Sequence, residues 1–155
     1  MNKTSSLITK LESQIPCSDI INEEVSSSSV GWHIEHALLT VDAITEALKR
    51  SNPENYKWRF NARRMLVYTM GKIPRGRAQA PQKVRPSVAF NKETLTHHIA
   101  GTKEKLKELN SLQPNHYFEH PFFGKLNLKA ALRCIEIHTA HHFKIIKDII
   151  ENTER

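Results

Sequence analysis

The chain has little of what would place it outside a cell or across a membrane. Cysteine appears only twice, as Cys17 in an expected loop and Cys134 in an expected buried helix. That pattern does not make a disulfide framework, and a reducing, cytoplasmic compartment is the simplest home. Long uncharged apolar runs are absent and the mean hydropathy is -0.51, which argues against a membrane span. A membrane is therefore not among the expected partners. The opening stretch MNKTSSLITKLESQIP is too poor in apolar residues for a signal-peptide core. Leu7, Ile8 and Leu11 instead mark one side of a short amphipathic helix. Glycine totals only 5, and no internal repeat is evident.

One absence is local. From Lys57 to Arg85 there are nine Lys and Arg residues and no Asp or Glu; these exceed the whole net charge of +7 and leave the remainder at -2. The stretch reads first as a solvated basic face and loop. Attraction of an anionic substrate through Arg75, Arg77 or Arg85 is the functional alternative. Nucleic acid is not expected as a partner, because no recognised nucleic-acid motif interleaves with these charges. Trp58, Phe60 and Tyr68 fall among them at helical spacing, which is more often core.

What is present is helical periodicity. With 155 residues, 39% of them apolar, one domain over 1–155 with one core is expected. Ser26 to Ser29 supply a helix entry. In VGWHIEHALLTVDAITEALKR, Trp32, His36, Leu39, Thr40, Ala43 and Ala47 follow i, i+3, i+4 spacing. The segment NYKWRFNARRMLVYTMGK predicts a third helix, and Ile73 to Phe90 a long crossover loop. Leu95, Ile99, Leu106 and Leu109 form the apolar side of the next helix. A second loop, QPNHYFEHPFFGKL, leads to a last helix capped by Asn127. No segment asks for a β-sheet. The expected fold is all-α, a four-helix bundle with a short extra N-terminal helix.

Nine histidines occur, and three have special positions. His138 and His142 are one turn apart on the stripe Ala131, Cys134, Ile135, His138, His142, Ile145, Ile146, Ile149. Burying two imidazoles among isoleucines is costly unless their nitrogens find partners, and a divalent ion supplies them. His36 adds a third imidazole from another apolar helix. Three protein ligands leave open coordination positions, as a catalytic rather than a closed structural site requires. The alternative is a set of core histidines bonded to carbonyls. His33 is a competitor of His36, Cys134 a packed thiol, His141 an edge residue, and His97 and His98 surface or edge residues. His120 is a weak catalytic candidate with a turn-stabilising role as its alternative. Glu35 and Glu46 are weak candidates for a general base.

At VGWHIEHALL and HTAHHFKII the chain resembles the DinB-like superfamily of metal-binding four-helix bundles, and EHPFFGKLNLKAA looks like a marker of one subgroup. The resemblance implies metal ligation by His36, His138 and His142, a divalent metal such as zinc or nickel, and a homodimer. It implies a metal-dependent hydrolase or a thiol S-transferase acting on a small electrophile, with an anionic small molecule or a thiol cofactor as partner. Phe143-Lys144-Ile145 departs from the Arg-Gly-Gln that commonly follows the histidines in the superfamily, which weakens transfer of a specific activity. The competing reading is a non-catalytic metal-binding or nucleic-acid-interacting helical protein.

Overall fold

A computed structural model describes residues 2–76, 81–87 and 89–153. Among them five helices run as α1 Asn2–Glu12, α2 Val30–Arg50, α3 Ala62–Met70, α4 Lys92–Glu108 and α5 Leu128–Thr153. Helix α2 packs on α5 along one flank and on α4 along the other, and α1 lies against α4 and α5. The four enclose a core of Ile8, Leu11, Ile34, Leu38, Leu48, Leu95, Ile99, Ile135, Ile146 and Ile149, all fully buried. Helix α1 is thus one of the four walls: Ile8 and Leu11 are at 0% exposure, each contributing about 1.5–3 kcal/mol of burial.

The buried side of α2 differs from the expected stripe. Ile34, Ala37, Leu38, Val41, Ile44, Thr45 and Leu48 are buried, whereas Ala43 is exposed and Leu39, Thr40 and Ala47 are only half-buried. Two helices cover α2 from different sides, so its buried arc is wide, and a narrow 3.6-residue stripe can be phased wrongly on it. The predicted caps hold. Ser29 Oγ accepts from Trp32 N at 3.2 Å, and Asn127 Oδ1 accepts from Ala130 N at 3.0 Å.

Helix α3 is shorter than its sequence suggested, and 56–61 is not helical. Asn61, in extended backbone, caps α3 through a bond from Arg64 N, and Gly71 closes it at φ 63°. The Arg64 side chain explains the shortening. It donates to Arg59 O at 2.6 Å and to Phe123 O and Lys125 O at 3.4 Å each. It therefore satisfies the Arg59 carbonyl of the extended segment, which a continuous helix would have used, and ties that segment to the hairpin.

The second loop contains a hairpin that the sequence reading did not include. β1 Tyr117–His120 pairs antiparallel with β2 Gly124–Asn127, with Phe118 opposite Leu126 and Glu119 opposite Lys125. Leu126 is fully buried. The connection is three residues, Pro121 to Phe123, followed by Gly124 at φ 69°, a pattern that hairpins of this loop length use. Among its described residues the crossover after α3 is irregular, as expected, with one 3-10 turn at Gln82–Val84. It ends on α2: a Cβ on Gly31 would meet Phe90 Cε2 at 2.5 Å and Ser18 O at 3.0 Å. Glycine at 31 lets Phe90 lie directly against the helix one turn before the histidines.

Candidate metal centre

Helices α2 and α5 bring His36, His138 and His142 together, with one candidate ligand nitrogen from each within 4.8 Å of the others. Ring centroids are 4.6 Å apart for His36 and His142, 4.5 Å for His138 and His142, and 5.1 Å for His36 and His138. His36 and His142 are buried and His138 is half-buried. Trp32, one turn before His36, stacks on its ring at 5.0 Å.

Each ring has a different second environment. His36 Nδ1 lies 2.6 Å from the Val84 carbonyl. A carbonyl only accepts, so His36 carries its proton on Nδ1 and its Nε2 lone pair is free. His142 Nδ1 is 3.0 Å from His33 Nδ1, and His33 Nε2 is 3.0 Å from Ser26 Oγ. If His142 presents Nε2 as a lone pair, the chain of donors is determined: His142 Nδ1–H donates to His33, and His33 Nε2–H donates to Ser26. His138 Nδ1 is buried and has no hydrogen-bond partner among the described residues. A buried imidazole nitrogen with no protein partner, in a ring of three, is one that a bound cation would satisfy.

The electrostatics keep these rings neutral. Burial, reinforced by neighbouring imidazoles, lowers His138 to about 3 and His33 to about 4. Burial likewise holds His142 and His141 below the ordinary histidine value. It also lowers His36, with the Val84 carbonyl acting in the opposite direction. Neutral imidazole is the metal-binding form. Nitrogens at about 2.0–2.1 Å from one ion lie at most about 4.2 Å apart, a little inside the 4.8 Å within which these three lie.

The other candidates fall elsewhere. His33 lies outside the three-histidine group, and its Nδ1 is 3.0 Å from His142 Nδ1. Cys134 lies beside Tyr68, and burial pushes its thiol up to about 11, as befits a packed thiol. His120 stabilises the hairpin: its Nδ1 accepts from Phe122 N at 3.1 Å and Phe123 N at 3.3 Å, and its ring stacks on Phe123 at 4.2 Å. Glu35 bonds His98 on the opposite flank of α2, and Glu46 pairs with Lys49 and Arg50. Neither acid is a base for this centre. Arg75 bonds Asp148 at 2.5 Å and contributes a positive field at His33 and His141. Arg77 lies outside the described residues. Sequence reasoning missed His33 as an orienting group and the Val84 carbonyl. The first required the α2–α5 crossing, and the second required the path of the crossover loop.

The DinB superfamily pattern matches residues 21–146, from the approach to α2 through most of α5. The chain belongs to the DinB superfamily. All three clustered histidines lie within the matched stretch, and the mostly helical bundle agrees with the assignment. No curated protein and no solved structure matches the chain. For this DinB-superfamily chain the three-histidine group is compatible with metal binding.

Proposed function

We propose that the protein is a metal-dependent enzyme in which His36, His138 and His142 hold one divalent ion, zinc or nickel. The observation that carries this reading is the convergence of three neutral imidazoles from two helices, one of them with an orphaned buried nitrogen. A bound ion would act as a Lewis acid and lower the pKa of a coordinated water or thiol. The chain's own residues prepare the site for that role. Val84 and His33 fix two of the rings by hydrogen bonds, which keeps ligand orientation independent of the ion. Trp32 covers the His36 ring on the α2 side. No Asp or Glu belongs to the cluster among the described residues, so the ligand set itself carries no negative charge. That charge balance favours an anionic or ionisable small molecule as the remaining partner.

The reaction class is hydrolysis or thiol S-transfer on a small electrophile. Both described cysteines are free thiols, which fits a reducing cytoplasm. The test is turnover of small electrophilic esters and epoxides, with and without added thiols, by metal-loaded and chelated protein. Metal-dependent turnover that chelation abolishes and metal restores is expected, and metal should leave elution from heparin unchanged. Equal rates in both forms would refute the enzymatic reading.

A further inference from the structure

A second feature lies away from the histidines, where α3 meets the hairpin. Of seven exposed large hydrophobic side chains among the described residues, six are here: Trp58, Phe60, Met65, Leu66, Met70 and Phe122. Phe60 is 70% exposed, Trp58 64% and Leu66 62%; single exposed apolar residues are ordinary, but six gathered on the neighbouring segments of one region are not. Asn61 Nδ2 donates to Phe122 O at 3.0 Å, joining the hairpin turn to the extended segment that carries Trp58 and Phe60. Tyr68 points inward to Ala130 O, which leaves Met65, Leu66 and Met70 on the outer side of α3.

Beside these side chains is a hollow of about 360 Å³ lined by Lys57, Arg59, Phe60, Arg64, Phe123 and Lys125, among others. One carboxylate, Glu119, also lines it, against four cations. The buried Arg64 guanidinium is bonded to carbonyls, so its charge is not neutralised there. The surface thus combines exposed aromatic and aliphatic groups with a concave cationic site.

We infer that this face docks on an anionic phospholipid bilayer, with headgroup phosphate in the cationic hollow and the exposed side chains in the interface. No helix among the described residues is long and apolar enough to cross a membrane, so the contact is peripheral. Such contacts pair buried apolar area with attraction to anionic lipid. A single-stranded nucleic acid would use the cations and stack on Trp58, Phe60 and Phe122. It would leave Met65, Leu66 and Met70 unexplained. A second copy of the chain would add a second set of cations to the same contact. A bilayer accounts for all six apolar groups and for the charge.

Sedimentation of the full chain with phosphatidylglycerol vesicles and with phosphatidylcholine vesicles tests the inference. Binding to the first and not the second is expected, with a blue shift of tryptophan emission that Trp58→Phe removes. Phe60→Ala with Leu66→Ala should weaken binding about tenfold, and Lys57→Glu with Arg59→Glu about a hundredfold. These side chains are exposed, so circular dichroism and metal content should be unchanged. No partition into anionic vesicles, or equal partition into neutral ones, overturns the inference. So does tighter binding to a single-stranded oligonucleotide, full displacement by inorganic phosphate, or a dimer in light scattering that Phe60→Ala with Leu66→Ala dissolves.

Discussion

Helix α2 carries a polar cluster on each flank, and the two are built oppositely. Toward α4, His98 Nδ1 meets Glu35 at 2.8 Å and His98 Nε2 lies 3.4 Å from Asp42. Thr102 Oγ1 donates to Asp42 at 2.9 Å, and Lys105 bonds the same carboxylate. Each charge there has an opposite charge beside it. Toward α5, three imidazoles face one another without a carboxylate, and one buried nitrogen has no partner. A histidine between two acids is held charged: the Asp42 and Glu35 bonds raise His98 to about 9. A histidine among isoleucines and other histidines is held neutral. The first cluster is complete and clamps two helices, whereas the second leaves a buried imidazole nitrogen without a partner among the described residues.

The sharpest break between the flanks is their response to metal. Zinc at a thousandfold excess over its dissociation constant should stabilise the protein by about 4 kcal/mol, read as a rise in Tm. His138→Ala should abolish that rise, and Asp42→Ala should keep it. Next in size, Asp42→Ala leaves Lys105 and the Nε2 side of His98 without their carboxylate and should cost about 2–3 kcal/mol in urea unfolding. Its metal affinity should stay near wild type. Unchanged stability would show that the α4 flank is no clamp.

His33→Ala removes the group that orients His142 and should weaken metal binding about 10–100-fold in a competition titration, with little loss of stability in the metal-free state. Unchanged affinity would show that the His33–His142 contact does not position the ligand. The smallest effect is the pH dependence of the clamp. The two carboxylates hold His98 up at about 9 in the folded protein, above the ordinary histidine value of 6.5. Its stabilising contribution is therefore full below about 6.5 and is lost as pH rises through about 9. Unfolding free energy should fall over that window, and His98→Gln should flatten the slope.

The two flanks also differed in how readable they were. The H-x-x-x-H pair of α5 was legible because Ala131, Cys134, Ile135, Ile145, Ile146 and Ile149 are all buried on its face. His36 was legible as a helical residue facing inward, although the stripe drawn through it was the wrong edge of α2. The α4 clamp was not legible, because Glu35, Asp42 and His98 look like surface residues until α2 and α4 are set side by side. The hairpin was hidden by four-residue strands, yet Tyr117-Phe118-Glu119-His120 with Gly124 beyond the turn carries a hairpin signal. The α3 boundary depended on Arg64 reaching carbonyls some sixty residues away, which periodicity does not encode.

Elemental analysis of protein purified without a nickel column probes the centre with fewest assumptions. Wild type should hold about one divalent ion per chain, following three protein ligands and an open position, while His138→Ala and His142→Ala should each lose most of it. Full occupancy in both variants, or a wild type that takes up no ion even when zinc or nickel is supplied, would contradict the assignment of His36, His138 and His142 as a metal centre.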